Sequence, residues 1–226
     1  MEQSLRGGTV PGVPLQRSAS VEPVRVRQLL EPTVSLAAPA PRVVLDPLAR
    51  SWVSNVVIVL AGAAFIGLSA QVSIPIPGTP VPVTGQTFAV LLVGAAAGLW
   101  RGVAATALYA VVGLAGVPWF AGGASGYVTA TFGYILGFVL AAAVVGALAQ
   151  RGWTRTPWRT FASMLIGSAV IYAVGVPWLK AAVGVTWAKA FSLGLTPFLV
   201  GDLLKAALAA GIFTLAWRWV DHRRSA

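Results

Sequence analysis

The sequence contains no cysteine and only one histidine, His222, among its 226 residues. Disulfide scaffolds, thiolate metal sites and cysteine nucleophiles are therefore excluded, and catalysis by a histidine base is not expected. Acidic residues are also scarce, with six Asp and Glu against sixteen Lys and Arg. Only 10% of the residues are charged and 57% are hydrophobic, whereas soluble chains carry about a quarter charged residues. This composition indicates an integral membrane protein that is not an enzyme.

The net charge of +10 does not indicate a nucleic-acid-binding protein, because the basic residues are scattered between apolar runs. The first fifty residues differ from the rest: they hold seven of the fifteen prolines and no aromatic residue. Such a segment cannot bury enough apolar surface to offset its ordering entropy. We predict a flexible cytoplasmic extension over residues 1–50, or one that folds on a partner, followed by a membrane domain over residues 51–226.

Apolar stretches of about 17 to 25 residues are long enough to cross a bilayer as helices. The chain has six candidates, at about 53–73, 84–100, 102–118, 127–149, 158–178 and 196–219. Only Trp100, Arg101 and Gly102 separate the second and third, which predicts a tight hairpin. Prolines such as Pro177 fall at the ends of spans, and the nine tryptophans fall at span ends or in connections. We predict an all-α fold of six transmembrane helices in the lipid bilayer.

The basic residues predict the orientation of these helices. With the N-terminus inside, the cytoplasmic segments contain most of the arginines that follow the extension. The outer loops 74–83 and 119–126 have no charge, and 179–195 has only Lys180 and Lys189. The positive-inside rule favours this arrangement, with both termini cytoplasmic.

Asp202 is the only acidic residue between Trp52 and Val220, and Lys205 follows it after three positions. At this spacing the two side chains share one helix face, in the outer third of the sixth span. Placing an ionisable group within a membrane costs free energy, so such a side chain should face protein or water and not lipid. The pair is either a structural ion pair or a ligand site open to the outer face, where Asp202 would accept N–H groups and Lys205 would neutralise an anion.

Two outer loops provide further candidates for such a site. The proline-rich run 73–86 is too apolar for an ordinary solvated turn and is suited to a semi-rigid lid, with Gln86 at its end. The run 120–126 begins with Phe120 and contains Gly122 and Gly123, which permit close backbone approach. Tyr134 and Tyr172 fall near the outer ends of their spans, where interfacial anchoring is the alternative explanation.

Small residues recur at a spacing of four, including the pair Ala63 and Gly67 in the first span. Packing inside the bundle is the default explanation, and a docking face for a partner membrane protein is the alternative. The sequence has no P-loop motif, so the chain does not hydrolyse ATP by that route. One core acid and no core histidine leave no material for a metal site or a carboxylate dyad. A small binder of a polar-headed solute, energised by another protein, remains.

Four stretches of the sequence resemble the BioY family in the same order. They are Ser73-Ile-Pro-Ile-Pro with Pro80-Val-Pro-Val-Thr-Gly-Gln-Thr-Phe, Gly113-Leu-Ala-Gly-Val-Pro-Trp-Phe-Ala-Gly-Gly, Gly133-Tyr-Ile-Leu-Gly-Phe and Pro197-Phe-Leu-Val-Gly-Asp-Leu-Leu-Lys. BioY proteins are biotin-specific substrate-capture (S) components of energy-coupling factor (ECF) transporters. The resemblance covers about residues 52–220.

The resemblance implies a six-helix S-component fold in a prokaryotic cell membrane, with a biotin pocket near the outer face. Biotin is then the transported ligand, with no cofactor or metal, and the partners are a transmembrane T component and two ABC-type ATPases. The implied binding residues are Asp202, Lys205, Gln86, Thr84, Phe120, Gly122, Gly123, Thr131, Tyr134 and Tyr172. The implied contact with the T component includes Ala63 and Gly67. An S component for another vitamin and a purely structural membrane subunit are the alternatives.

Overall fold

The computed structural model describes residues 42–127 and 130–225, with side chains to residue 223. The structure is mostly helical. The helices are α1 (Trp52–Gln71), α2 (Gln86–Leu114), α3 (Phe132–Gln150), α4 (Pro157–Val183), α5 (Trp187–Gly194) and α6 (Leu199–Ser225). Two short strands, β1 (Ser73–Ile74) and β2 (Val83–Thr84), pair antiparallel with Ser73 opposite Thr84. Short 3₁₀ turns lie at Ala121–Gly123, Trp153–Arg155 and Thr196–Phe198.

Within the described residues, five helical segments are long and apolar enough to cross a membrane. They are α1, α2, α3, α4 and the run Trp187–Arg223, and their mean hydropathy lies between 1.7 and 2.3. The prediction of an all-α, multi-pass membrane protein is thereby confirmed. The predicted second and third spans are not separate helices in this set, because both fall within α2.

The helix α2 reverses its direction at Gly98, where φ is 82° and ψ is −177°. A Cβ atom placed on Gly102 would lie 2.8 Å from the Cα of Gly94, although eight residues of straight helix span about 12 Å. The hairpin predicted from the sequence is therefore present, but its turn is at Gly98 and not at Trp100–Gly102. Glycine alone adopts this backbone conformation at little cost, whereas Trp100 and Arg101 are already helical.

The prediction that α4 ends at Pro177 is wrong, because the helix continues through this proline to Val183 and ends at Gly184, whose φ is 71°. The segment 179–195, predicted as a loop, therefore contains the last turn of α4 and the whole of α5. Thr186 caps α5, since its hydroxyl accepts a hydrogen bond from the Lys189 N–H.

Residues 42–50, which the sequence assigns to the extension, lie against the helical domain. Val43 is buried, and the Leu45 N–H donates to the Ala96 carbonyl at 3.1 Å. Asp46 forms a 2.9 Å ion pair with Arg101. Burial alone would raise the pKa of Asp46, but hydrogen bonds from the Val43 N–H, the Arg101 guanidinium and the Arg42 N–H hold it below its usual value. Residues 1–41 of the predicted extension lie outside the described residues.

Glycines bring α3 close to its neighbours. A Cβ on Gly94 would lie 3.0 Å from the Ala142 backbone, and one on Gly137 would lie 2.9 Å from the Ile171 carbonyl oxygen. The recurring small residues therefore serve helix packing, because residues without a bulky side chain let the backbones of membrane helices approach closely.

The pair Ala63 and Gly67 does not form a docking face in this structure. Ala63 is only 2% exposed, and a Cβ on Gly67 would lie 2.8 Å from the Trp119 ring. Both residues are turned into the bundle, so the packing explanation applies to them and the partner-docking prediction does not. The exposed face of α1 carries larger residues, including Val57 and Leu68.

Candidate ligand-binding site

A cavity of about 640 Å³, counted with its open side, lies between the β1–β2 loop, the 119–126 connection and the helices α3, α4 and α6. Most of the wall surface is apolar, although half of the lining residues carry a polar or charged side-chain group. The lining residues are Val81, Pro82, Thr84, Gln86, Thr87, Phe120, Ala121, Ala124, Thr131, Tyr134, Ile135, Phe138, Tyr172, Phe198, Asp202 and Lys205.

Asp202, in the first turn of α6, is the acidic group of this cavity. It is 7% exposed, and its Oδ2 atom accepts a hydrogen bond from the Tyr172 hydroxyl of α4. Its Oδ1 atom lies 3.5 Å from the Lys205 ammonium. A carboxylate has about four acceptor positions, so Asp202 retains acceptor capacity toward a ligand after both contacts are made.

The ammonium group of Lys205 is bound on several sides. Its Nζ atom donates to the Thr84 carbonyl at 3.0 Å and to the Thr87 hydroxyl at 2.8 Å, in addition to its contact with Asp202. An ammonium has three N–H donors, and two of them are used in these hydrogen bonds, while the Asp202 carboxylate is its ion-pair partner. Lys205 thereby ties α6 to β2 and to the start of α2, and it neutralises the charge of Asp202.

Gln86 is buried at the start of α2, and its side-chain amide donates to the hydroxyl of Tyr109. The Tyr109 ring packs between Trp119 and Phe120, with ring centroids 5.2 Å and 5.3 Å away. Phe120 reaches this position because Gly113 has no Cβ, which would otherwise lie 2.1 Å from the phenyl ring. The 119–126 connection is thus positioned by the second arm of α2.

Tyr134 forms the opposite side of the cavity. Its hydroxyl donates to the Gly194 carbonyl at 2.8 Å, and its ring meets that of Tyr172 edge to face. Gly175 makes room for this ring, since a Cβ there would lie 2.4 Å from it. The β1–β2 loop is held nearby, because the Thr79 hydroxyl donates to the Leu193 carbonyl at 2.8 Å. The loop therefore borders the cavity through Val81 and Pro82, and its action as a lid stays a prediction.

The structure brings together eight of the ten predicted binding residues. Asp202, Lys205, Gln86, Thr84, Phe120, Thr131, Tyr134 and Tyr172 all line the cavity. Gly122 and Gly123 do not: they lie in a 3₁₀ turn with φ of 68° and 75°. Gly122 instead lines a separate cleft, which shares Pro82, Ala121, Ala124 and Thr131 with the main cavity.

Sequence reasoning missed Thr87 and the apolar wall of Ile135, Phe138 and Phe198. Thr87 lies one residue after Gln86, and Phe138 lies one helical turn after Tyr134, so helical spacing was the available signal. That spacing alone does not distinguish a cavity wall from ordinary core.

The site is suited to binding rather than to covalent chemistry. It combines an apolar enclosure with a neutralised Asp–Lys pair, and hydroxyl and amide groups surround that pair. Fixed polar groups within an apolar enclosure give orientation and specificity to a small ligand. The fold and the site together define a multi-pass membrane protein with a partly polar cavity between its helices.

Comparison with known proteins identifies the family. The family model described as the BioY family matches residues 40–222, and the chain belongs to this family. Biotin transporter BioY2 of Lactococcus lactis subsp. cremoris is 36% identical over 165 residues, which cover 72% of this chain and 88% of the relative. Biotin transporter BioY of Thermotoga maritima is 41% identical over 150 residues, covering 65% of this chain and 86% of the relative.

A solved structure shares the fold. The S-component for biotin from an ECF-type ABC transporter superposes with a TM-score of 0.66 and 22% sequence identity. The similarity covers 74% of this chain and 92% of that chain. The expected S-component fold is thereby confirmed, and the family resemblance seen in the sequence is confirmed by the family match.

Replacing Lys205 with alanine should destabilise the protein, because Asp202 would be left as a buried charge without its cation. Removing one partner of a buried ion pair costs about 3 kcal/mol or more, which corresponds to a fall in melting temperature of about 6 °C or more. We expect Lys205→Ala to show this fall in a thermal unfolding measurement in detergent, and the double variant Asp202→Asn/Lys205→Ala to recover part of it.

The matched control is Lys189→Ala, which removes an exposed lysine from α5. Equal melting temperatures for Lys205→Ala and Lys189→Ala would show that Lys205 does not stabilise Asp202.

Proposed function

We propose that this protein captures biotin in the Asp202 cavity, as the substrate-binding subunit of an ECF-type uptake transporter in a prokaryotic cell membrane. The observation that carries the proposal is Asp202 itself: a buried carboxylate that is held by Tyr172 and Lys205 and borders an apolar cavity. The names of the relatives support biotin as the ligand.

Biotin has a ureido ring with two N–H donors, a thioether ring, and a valerate chain that ends in a carboxylate. The Lys205 and Asp202 head groups are 3.5 Å apart, so without a large movement they meet the same end of the ligand. The negative charge of Asp202 would repel the carboxylate, and two of the three donors of Lys205 already have acceptors. We therefore place the ureido ring at Asp202, which accepts one of its N–H groups.

The rest of biotin is then placed along the apolar wall. The thioether ring and the valerate methylenes pack on Phe120, Phe138 and Phe198, where apolar contact favours them. The carboxylate of biotin points toward Ala121 and Thr131, which line both the cavity and the neighbouring cleft. At that end it remains hydrated, and its charge does not have to be buried.

The positions of the arginines support an outward-facing cavity. The reversal of α2 at Gly98 lies at the opposite end of the bundle from Gln86, and Arg101, which pairs with Asp46, follows this reversal. Gly146 contacts the backbone at Gly98 and Leu99, so the end of α3, with Arg151, lies at the same end of the bundle. By the positive-inside rule this end is cytoplasmic and the cavity opens outside. With the reversal in α2, the chain would cross six times, with both termini inside.

Transport requires movement of biotin inward from this cavity and an energy source for it. The sequence contains no P-loop motif, so ATP hydrolysis is assigned to partners. We propose a transmembrane T component and two ABC-type ATPases as those partners. The least buried spans are α1 and the run Trp187–Arg223, each 28% buried. They expose the most apolar surface, and we propose this surface for contact with the partners.

Replacing Asp202 with asparagine should weaken biotin binding by about ten- to a hundredfold, the value of one hydrogen bond to a charged group. Isothermal titration of biotin into the purified variant measures this change. Asp221→Asn is the matched control, since it removes one carboxylate from the far end of α6 and should bind biotin like the wild type. Unchanged affinity in a folded Asp202→Asn protein would show that Asp202 does not contact the ligand.

Biotin methyl ester should bind within about tenfold of biotin, because the proposed orientation leaves the carboxylate at the hydrated mouth. If the biotin carboxylate instead bound to Lys205, it would form a charge-assisted hydrogen bond that the ester cannot form. The ester would then bind about ten- to a hundredfold more weakly than biotin. Competition between labelled biotin and the ester measures the difference. A loss of more than about tenfold would reverse the proposed orientation and assign Lys205 to the carboxylate.

A further inference from the structure

A second, more open groove lies on the other side of Tyr172 and Asp202, between α4, α5 and α6. It holds about 1220 Å³, counted with its open side, and both of those residues border it as well as the first cavity. The groove is lined by Leu165, Ser168, Ala169, Tyr172, Ala173, Val176, Pro177, Trp187, Phe191, Leu195, Leu199, Asp202 and Leu203. Apart from Ser168, Tyr172 and Asp202, these side chains are apolar or, for Trp187, largely so.

The shape of the groove matches a hydrocarbon chain. Ala169 and Ala173 are exposed and lie one helical turn apart on α4, so they form a shallow floor. Larger side chains form the walls of the groove on either side of this floor. Trp187 and Phe191 on α5 are 52% and 48% exposed, and Leu203 on α6 is 49% exposed. These three elements belong to membrane-spanning segments, so the groove is open to lipid.

One end of the groove carries positive charge. The Lys180 ammonium lies 5.2 Å from the centre of the Trp187 ring, which places a cation beside an aromatic side chain at the end of α4. Asp202 is the only acidic residue between Trp52 and Val220, and it is already bound by Tyr172 and Lys205. That stretch of the chain therefore has no other carboxylate to place near Lys180.

We propose that this groove binds one anionic phospholipid. An acyl chain lies along Ala169 and Ala173, between α5 and α6, and the phosphate lies beside Lys180. The lipid contacts Tyr172 from the side opposite to the ligand cavity, so it closes the lateral wall of that cavity with hydrocarbon. Trp187 then lies at the level of the headgroup, which is where tryptophan is enriched in membrane proteins.

Native mass spectrometry of the full chain in detergent, titrated with phosphatidylglycerol or with phosphatidylcholine of the same acyl chains, tests the proposal. We expect one retained phosphatidylglycerol, bound at least about fivefold more tightly than phosphatidylcholine, since a basic residue near an anionic lipid contributes about this factor. Lys180→Gln should remove the preference. The matched control Arg151→Gln, which changes a cation at the other end of the bundle, should keep it.

Filling the groove tests the acyl-chain part. Ala173→Trp, and independently Ala169→Trp, should lose the retained lipid, whereas Ala104→Trp at an exposed position of α2 should keep it. Each variant is first checked for an unchanged melting temperature. Equal binding of the two lipids by the wild type, or retention of the lipid by both groove variants, would overturn the proposal. So would a change from dimer to monomer in the groove variants, because the groove would then hold a second copy of the chain.

Discussion

The arrangement of the site depends on one constraint: Asp202 is a carboxylate buried in an apolar membrane domain. Such a group is stable only when other polar groups surround it. Four parts of the chain take part. Tyr172 of α4 and Lys205 of α6 contact Asp202, and Thr84 of β2 and Thr87 of α2 hold Lys205. The same contacts that stabilise the charge therefore bring together the walls of the cavity. Stability and the proposed ligand recognition therefore depend on the same contacts.

Glycines decide how closely the walls approach. Gly113 admits the ring of Phe120, Gly175 admits that of Tyr134, and Gly98 turns α2 back on itself. Gly113 and Gly175 lack the Cβ atom that would push these rings out of position, and Gly98 adopts the backbone conformation that the turn requires. The cavity is thus defined by small residues behind its walls as much as by the side chains that line it, and a shared wall at Tyr172 and Asp202 separates it from the lipid-facing groove.

Much of this architecture could be predicted from local patterns. Hydropathy located the spans, and the i, i+3 spacing placed Asp202 and Lys205 on one face. The sequence predicts the turn of α2 at Trp100–Gly102 and not at Gly98, because hydropathy does not report the backbone angle φ. The helix α5 is not predicted, because its eight residues are fewer than a membrane span requires. The inward direction of Ala63 and Gly67 was not predictable, since small residues suit either face until the neighbouring Trp119 is placed. Thr87 was missed because its role depends on a contact with α6, far away in the sequence.

The most direct test of the central claim, that the Asp202 cavity captures biotin, is calorimetric titration of biotin into the purified wild-type protein. Thiamine and riboflavin, titrated in parallel, are the controls. The account predicts saturable binding of biotin at one site per chain and no binding of either control vitamin. Absence of biotin binding by folded protein, or tight binding of thiamine or riboflavin instead, would contradict it.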